Sequence, residues 1–397
     1  MHPAASRGLG AVLSAQFLSA LADNALLFAA IALLKANGAP GWYTPLLQEF
    51  FLVAYIVLAP FVGHFADAWP KGRVMLAANA LKLAGAGAML AGANPLLAYG
   101  LVGVGAATYS PAKYGILGEL VTKDKLVKAN GLLEGSTIAA ILLGVVLGGY
   151  LADQGAQLAV SFTVGMYFLA ALANLRIPAL APASTGRLRS PAELVREFWC
   201  AVRTLMQNPD GRFTLLGTSV FWGTGSTLRF LLVAWVPVAL GIMDTSTPAN
   251  LSGAVAIGIA LGAAAAARFV TLDRVNRALP AGVALGVLIM VFARVTSLPL
   301  ALGLLVVVGA CGGFYVVPLN ALLQEKGHET VGAGSAIAVQ NFFENLLMLV
   351  MVGAYTAMTR AGTPPVGMAM TFGGVVLAGI LALAFGRVRK SCVPTSC

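Results

Sequence analysis

The amino-acid sequence predicts an all-α membrane protein whose twelve transmembrane helices form two pseudo-symmetric halves of six. Of the 397 residues, 59% are hydrophobic and only 10% are charged. A soluble domain has charge on about a quarter of its residues. Apolar stretches of about 20 residues, each long enough to cross a bilayer, recur along the whole chain. One long hydrophilic segment divides these stretches into two sets of six.

The apolar stretches define the predicted spans. The first is read as a retained helix and not as a signal peptide, because it is too long, lacks a small-residue cleavage site and carries Asp23. The spans are predicted at 9–35, 45–68, 73–93, 95–119, 129–152, 157–176, 212–240, 250–270, 279–296, 298–322, 332–358 and 364–386.

The distribution of basic residues predicts the orientation of the chain. With the N-terminus in the cytoplasm, 19 of the 25 Lys and Arg residues fall in cytoplasmic segments. Three lie at outer ends (Lys35, Arg294 and Arg360) and three lie inside spans. Cytoplasmic loops are enriched in Lys and Arg, so both termini are expected in the cytoplasm. The net charge of +10 is therefore a topology signal and not a nucleic-acid-binding patch.

The chain is predicted to have an N-terminal six-helix half over 1–176, a cytoplasmic linker over 177–211 and a C-terminal six-helix half over 212–397. An internal repeat supports this division. VGVGAATYSPAKYGILGE (102–119) resembles VGACGGFYVVPLNALLQE (308–325), with Val, Gly, Tyr, Leu and Glu at matching positions. These segments are the fourth and tenth spans. Two related halves are typical of transporters that alternate access around a central site.

The linker contains a predicted amphipathic helix, SPAELVREFWCAVRTLM. Ser190 and Glu193 form a capping box with Pro191 at the first helical position. The next residues place one apolar stripe along the helix, formed by Leu194, Phe198, Val202 and Leu205. Such a helix is expected to lie on the cytoplasmic membrane surface, with a plain tether as the alternative.

The loop between the second and third spans reads GHFADAWPKGR (63–73). It resembles the signature loop of the major facilitator superfamily. The resemblance implies that Gly63 permits close packing and that Asp67 and Arg73 latch the cytoplasmic side. The equivalent loop of the second half, AARFVTLDRVNRA, is basic but matches poorly.

A closer resemblance covers residues 8–386. QFLSALADNALLF, YSPAKYGILGEL, KANGLLEGSTIAAILLG, TLRFLLVAWVPVALG, VVPLNALLQE and GAGSAIAVQN are similar to the bacterial lysophospholipid transporter family. The resemblance implies movement of lysophospholipids from the outer to the inner leaflet of the bacterial inner membrane. The substrates would be lysophosphatidylethanolamine and related lysolipids such as lysophosphatidylglycerol. A cytoplasmic acyltransferase/acyl-carrier-protein synthetase acting in trans would reacylate them. The transporter is expected to be a monomer without a cofactor.

Six charged residues fall inside the spans: Asp23, Lys82, Lys113, Glu134, Arg229 and Glu344. A charge at the centre of a transmembrane helix costs about 2.5–3.5 kcal/mol, so each needs a partner or water. In the architecture that the resemblance implies, spans 1, 4, 7 and 10 line the cavity and spans 2, 5, 8 and 11 flank it. Five of the six charges fall on those spans. Lys82, on the third span, stays unassigned.

Asp23 and Arg229 lie at similar depth, one in each half, and are predicted to pair. The pair would join the halves in one state and yield to the substrate head group in another, with Asn24 beside it. Arginine suits phosphate because its planar fork holds two oxygens at once. Asp23 or a flanking carboxylate would meet an ethanolamine ammonium. The alternative is a static structural pair.

Four further residues complete the candidate site. Lys113, which follows Pro111, is a phosphate ligand, a gate residue or a side chain that snorkels to the interface. Glu134 is assigned to the gate. Gln340 and Glu344 are four residues apart and share a helix face, which suits an amphipathic ligand or interhelical hydrogen bonding alone.

Other function classes lack support in the sequence. There is no P-loop, G-x-S-x-G or H-E-x-x-H motif, so no catalytic residue or metal ligand is assigned and an enzyme is not expected. The main alternative is a proton-coupled exporter of amphipathic small molecules with the same fold. Such exporters carry a Gly-Pro element in the fifth helix, and GVVLGGYLAD has no proline. The expected mechanism is facilitated diffusion through alternating access.

Glycine pairs lie four residues apart at Gly144 with Gly148 and at Gly258 with Gly262. Such pairs let helix backbones approach each other closely and slide, and ordinary packing is the alternative.

Overall fold

The computed structural model describes residues 3–121, 123–178, 180 and 190–391. This part of the chain contains thirteen α-helices and one short 3₁₀ helix. No residue in it is assigned to a strand, which confirms the all-α prediction. The α-helices are α1 (Pro3–Ala36), α2 (Tyr43–Ala68), α3 (Lys71–Leu90), α4 (Pro95–Leu120), α5 (Lys123–Gln154), α6 (Ala156–Leu175), α7 (Pro191–Gln207), α8 (Pro209–Leu240), α9 (Ser246–Phe269), α10 (Leu279–Phe292), α11 (Leu298–Thr330), α12 (Ala333–Arg360) and α13 (Pro365–Ser391).

Twelve of these helices coincide with the predicted spans, and α7 is the predicted linker helix. In the described residues, ten helical segments are long and apolar enough to cross a membrane. The 3₁₀ helix, Leu272–Ala278, leads directly into α10. The first six predicted spans therefore correspond to α1–α6, and the last six correspond to α8–α13.

The chain forms two compact units. Unit 1 comprises Met1–Phe198 together with Asp244–Asn250, so it contains the first turn of α9. Unit 2 comprises Trp199–Met243 and Leu251–Cys397. The predicted domain limits at 176 and 212 stay a prediction, since these units are defined by contacts alone.

In unit 1, α1 packs against α5 and α6, while α4 packs against α2 and α3. The predicted glycine pair of α5 makes the first of these contacts possible. A Cβ on Gly148 would lie 2.6 Å from Ala25 Cα, and a Cβ on Gly144 would overlap the carbonyl oxygen of Leu21. The close approach of backbones expected at this pair is confirmed.

In unit 2, α8 packs against α11, α12 and α13, and α10 packs against α13. The second glycine pair lies where α9 meets α11. Cβ atoms on Gly258 and Gly262 would overlap the backbone of Val306 and Ala310. This pair too brings two helix backbones together as expected.

The two segments of the internal repeat occupy comparable environments, each in its own unit. Pro111 lies inside α4 and Pro318 lies inside α11. Tyr109 and Tyr315 are both buried. Gly103 on α4 meets the backbone of Phe51 on α2, and Gly309 on α11 meets the backbone of Val255 on α9. The two segments therefore resemble each other in their helix packing as well as in their sequence.

Helix α7 has the predicted capping box. The Ser190 N–H donates to Glu193 Oε2 at 2.9 Å, and the Glu193 N–H donates to Ser190 Oγ at 3.3 Å. Phe198, Val202 and Leu205 of the apolar stripe are buried. The position of α7 on the membrane surface stays a prediction.

Gly309→Ala is expected to lower the thermal stability of the transporter, because the new Cβ would overlap the Val255 carbonyl oxygen. Overpacking of this kind costs about 1–3 kcal/mol. Gly303→Ala on the same helix is the matched control, since a Cβ there meets nothing within 4 Å. Melting temperatures of the two purified variants in detergent test this. Equal values would contradict a tight α9–α11 contact.

Candidate functional site

The predicted site residue Asp23 lies at the centre of a buried polar network in unit 1. Its Oδ2 forms an ion pair with Lys82 Nζ of α3 at 2.7 Å. Its Oδ1 accepts a hydrogen bond from the Tyr167 hydroxyl of α6, also at 2.7 Å. The Lys82 side chain is only 2% exposed, whereas that of Asp23 is 25% exposed. The carboxylate of Asp23 is therefore the accessible member of the pair, and the ammonium of Lys82 is shielded from solvent.

The Lys82 ammonium has further neutral partners. It donates to Ser19 Oγ at 3.0 Å, and the Ser19 hydroxyl donates to Asn79 Oδ1 at 2.7 Å. It also lies 5.0 Å from the centre of the Tyr109 ring, within range of a cation–π interaction. A buried charge is tolerated only with this degree of pairing and hydrogen bonding.

Helix periodicity and one glycine create this network. Ser19 and Asp23 are four residues apart on α1, and Asn79 and Lys82 are three apart on α3, so each pair shares a helix face. Gly105 of α4 leaves room for the lysine, because a Cβ there would lie 2.7 Å from Lys82 Cγ.

Aromatic rings surround the pair. Tyr55 of α2, together with Tyr109 and Tyr167, is within electrostatic range of the Asp23 carboxylate. The Phe51 ring lies 5.6 Å from that of Tyr55 and 5.3 Å from that of Tyr99. Tyrosine combines an apolar ring with a hydroxyl, so this wall suits a ligand with both polar and apolar parts.

Unit 2 has its own buried polar cluster around the predicted residues Gln340 and Glu344. The Gln340 side-chain amide donates to Glu344 Oε1 and to Asn320 Oδ1 of α11, each at 2.7 Å. The shared helix face of Gln340 and Glu344 is therefore confirmed. Thr218 of α8 also hydrogen-bonds the Glu344 carboxyl group, which is buried.

The remaining predicted ligands have other surroundings. The Asn24 amide donates to the Ala20 carbonyl of its own helix at 2.8 Å. The Lys113 ammonium lies 4.7 Å from the centre of the Tyr114 ring. Arg229 is partly buried on α8.

The predicted pairing of Asp23 with Arg229 stays a hypothesis. Within unit 1, the two oxygens of Asp23 contact Lys82 and Tyr167. The partner that the structure gives Asp23 is Lys82, which the sequence analysis left without a role. The signal that would have found it is the shared three- and four-residue spacing of polar residues on the first and third spans.

The structure describes the surroundings of some of the predicted gate residues and not of others. A Cβ built on Gly63 meets no heavy atom within 4 Å, so the close packing implied for this glycine is absent from the described contacts. Arg73 is exposed. The side chains of Asp67 and Glu134 lie outside those that the structure describes.

An ion pair not anticipated from the sequence lies beside the signature loop. Lys71 Nζ is 2.5 Å from Glu119 Oε1 at the end of α4, and the Lys71 side chain is only 4% exposed. Gly115 leaves room for the lysine stem, since a Cβ there would overlap Lys71 Cε. The pair joins the start of α3 to the end of α4.

Ten helices in the described residues are long and apolar enough to cross a membrane, which indicates a multi-pass membrane protein. The sequence pattern of the Major Facilitator Superfamily matches residues 12–352, and the chain belongs to this superfamily. It is therefore a transporter and not an enzyme.

Within the superfamily, the chain belongs with the lysophospholipid transporters. It is 56% identical over 385 residues to the Lysophospholipid transporter LplT of Klebsiella pneumoniae (strain 342), covering 97% of both chains. It is 57% identical over 364 residues to the protein of the same name from Yersinia pestis (strain Pestoides F), covering 92% of this chain and 90% of that one.

Solved structures share the fold at low identity. A bacterial homolog of the human lysosomal transporter Spinster, in an inward-facing and unoccupied conformation, has a TM-score of 0.73 with 13% identity over the whole of both chains. A mutant of the nucleoside transporter NupG has a TM-score of 0.75 with 11% identity, covering 96% of this chain and 99% of that one.

Removal of either member of the Asp23–Lys82 pair is expected to destabilise the transporter. Asp23→Asn leaves the fully buried Lys82 charge without its counter-charge, at a cost of roughly 3 kcal/mol. Lys82→Gln is expected to cost less, because Asp23 keeps its Tyr167 hydrogen bond and some access to water.

The double variant Asp23→Asn/Lys82→Gln is expected to recover much of the lost stability, since no unpaired charge remains. Lys326→Gln is the control, because it breaks an exposed ion pair with Glu329 and should leave the melting temperature unchanged. Thermal or SDS denaturation of the purified variants measures these effects. Strictly additive losses in the double variant would contradict a direct pair.

Proposed function

We propose that this chain moves lysophospholipids from the outer to the inner leaflet of the bacterial inner membrane. The observation that carries the proposal is the 56% identity with a lysophospholipid transporter over 97% of both chains. Lysophosphatidylethanolamine is the principal substrate and lysophosphatidylglycerol is a second one. Both termini lie in the cytoplasm, as the excess of basic residues in the cytoplasmic segments indicates.

The chemistry of the unit 1 network supports a zwitterionic substrate. An ethanolamine head group carries one phosphate and one ammonium, and the partly exposed Asp23 carboxylate can accept the ammonium. Its two oxygens each have one partner, so further acceptor capacity remains. Arg229 and Lys113 are the proposed phosphate ligands, since charge-assisted hydrogen bonds to phosphate are among the strongest that side chains form.

Lys82 acts as a positioning residue in this scheme. Its ammonium contacts Oδ2 of Asp23, while the Tyr167 hydroxyl donates a hydrogen bond to Oδ1. The Asp23–Lys82 pair has no net charge, so a zwitterion without net charge can enter without a co-transported ion. This supports facilitated diffusion through alternating access, with reacylation on the cytoplasmic side making the flow one-way.

The unit 2 cluster is the second proposed contact for the substrate. Gln340 and Glu344 offer hydrogen-bonding groups from α12, and Phe342 and Phe343 lie on the same helix with their rings 5.7 Å apart. Polar and aromatic groups side by side suit an amphipathic molecule.

The proposed cytoplasmic gate combines the Lys71–Glu119 pair with Asp67, Arg73 and Glu134. The reacylating partner is a cytoplasmic acyltransferase/acyl-carrier-protein synthetase acting in trans on a monomeric transporter.

Inward flipping of labelled lysophosphatidylethanolamine by purified protein in liposomes tests the function. The wild type is expected to flip it without a pH or Na⁺ gradient. Asp23→Asn/Lys82→Gln, which keeps the charge balance but lacks the carboxylate, is expected to lose about tenfold or more in rate, because one charge-assisted contact with the ammonium is gone. Lys326→Gln, the matched control, is expected to flip at the wild-type rate.

Flipping that requires a gradient would overturn facilitated diffusion and keep the substrate. An absence of flipping, combined with gradient-driven export of amphipathic cations, would replace the proposal with the proton-coupled exporter. A double variant as fast as the wild type would remove Asp23 from the substrate site.

A further inference from the structure

Two side-chain amides in unit 2 are held in fixed orientations beside a buried carboxyl group. The Gln340 amide nitrogen of α12 donates to Glu344 Oε1 and to Asn320 Oδ1 of α11, each at 2.7 Å. A hydrogen bond with Thr218 of α8 holds the Glu344 carboxyl group in turn. We call Asn320 and Gln340 the amide pair.

The hydrogen bonds that the amide pair makes determine which of its atoms can bind a ligand. A side-chain amide has two N–H donors on its nitrogen and two acceptor sites on its oxygen. In the described contacts, Gln340 uses both donors of its nitrogen, so its oxygen is the atom that can accept from a ligand. Asn320 uses its oxygen, so its nitrogen is the atom that can donate. The pair therefore offers a donor and an acceptor side by side.

A hydroxyl group matches this arrangement, because its oxygen both donates and accepts hydrogen bonds. A phosphate diester or a carboxylate only accepts, and an ammonium only donates, so none of them satisfies both members of the pair. Because the two amides are already oriented, binding a hydroxyl costs little further ordering. The amide pair is therefore suited to an uncharged hydroxyl of a ligand.

Burial differs across the cluster and indicates the side from which a ligand approaches. Gln340 and Glu344 are buried, whereas Asn320 is partly exposed. The contact of α8 with α11 is closely packed here, since a Cβ on Gly217, next to Thr218, would overlap a side chain of α11. The accessible side of the cluster is therefore that of Asn320.

The internal repeat gives Asn320 a counterpart in the other half of the sequence. Asn320 lies two residues after Pro318 of α11, and Lys113 lies two residues after Pro111 of α4. Lys113 is a proposed phosphate ligand. Its counterpart on α11 is an amide, which hydrogen-bonds neutral groups and carries no charge to attract an anion.

We propose that the amide pair binds the free glycerol hydroxyl of a lysophospholipid and thereby selects lysophospholipids over diacyl phospholipids. The inference rests on the proposed function and names the chemical group that the unit 2 cluster recognises. In a diacyl lipid the same oxygen carries an acyl ester, so it has no hydrogen to donate to Gln340. The phosphate and the ammonium occur in both kinds of lipid, so contacts with the head group cannot make this distinction.

Recognition of a hydroxyl by buried polar groups gives strong selectivity. A site built to hydrogen-bond a substrate hydroxyl rejects the analogue that lacks it, because the polar groups of the site then lose their partner. Glu344 is a positioning residue in this subsite, since its carboxyl group fixes the orientation of the Gln340 amide.

The test first compares two lipids in the wild type. Purified full-length protein in liposomes receives lysophosphatidylethanolamine or its 2-deoxy analogue, which carries hydrogen in place of the glycerol hydroxyl. Both lipids have the same head group and the same label on the acyl chain, and rates in protein-free liposomes are subtracted. The wild type is expected to flip the natural lipid about tenfold faster, because the analogue loses both hydrogen bonds to the amide pair. Equal rates for the two lipids would overturn the subsite.

Variants then assign the selectivity to the amide pair. Asn320→Ala is expected to slow only the natural lipid, so that the ratio of the two rates falls at least roughly threefold. Gln340→Met removes the acceptor at similar size and is expected to lower the ratio in the same way. Asn341→Ala is the matched control, since this amide is also partly exposed and lies next to Gln340, and it should keep the wild-type ratio. Variants of the pair that slow both lipids equally would show a structural role and contradict the inference.

The subsite and the proposed function fail separately in this experiment. Movement of both lipids at one rate would refute the subsite and leave lysophospholipid transport intact. Movement of neither lipid above the rate in protein-free liposomes would refute the proposed function, and the subsite with it.

Discussion

A charge inside a membrane must be compensated within the protein, and the Asp23–Lys82 pair meets this constraint at the centre of unit 1. The pair is surrounded by hydrogen-bonding groups from several helices, which include Ser19, Asn79 and Tyr167. Because removing one partner of a buried ion pair costs about 3–5 kcal/mol, these contacts favour one arrangement of helices α1, α3 and α6. The site and the fold of this unit depend on the same contacts.

Small residues allow this arrangement to form. Glycine at 105 leaves space for the stem of Lys82, and glycine at 115 does the same for Lys71. The glycines of α5, α9 and α11 instead let helix backbones meet. In a membrane, where lipid is as apolar as leucine, close packing and interhelical hydrogen bonds replace the hydrophobic effect as the source of helix association. Glycine thus has two functions here, which are to admit a charged side chain and to admit a neighbouring backbone.

Ionic and polar contacts occur at three levels along the helices. The Lys71–Glu119 pair lies at the end of α4 that is cytoplasmic in the predicted orientation, and the Asp23 network lies at mid-depth. At the end of α5 that is external in that orientation, the Asp153 carboxylate accepts hydrogen bonds from the N–H groups of Thr245 and Ser246. The Lys82 side chain of the central network is buried, whereas Asp153 is exposed. Exposed hydrogen bonds exchange readily with water, so the outer contact can open at lower cost than the central one.

The sequence by itself determined the all-α class, the positions of twelve helices, the capping box of α7, the close-packed glycine pairs and the shared face of Gln340 and Glu344. Each depends on local spacing or on hydropathy, which are read along the chain. Tertiary structure alone decided which charges meet. The sequence analysis assigned no role to Lys82. Polar spacing marks one face on each of the first and third spans, but nothing local shows that these two faces meet. The Lys71–Glu119 pair was missed for the same reason. Ion pairs form between residues distant in the chain, so the partner of a buried charge depends on how helices rotate and pack, which spacing within one helix does not specify.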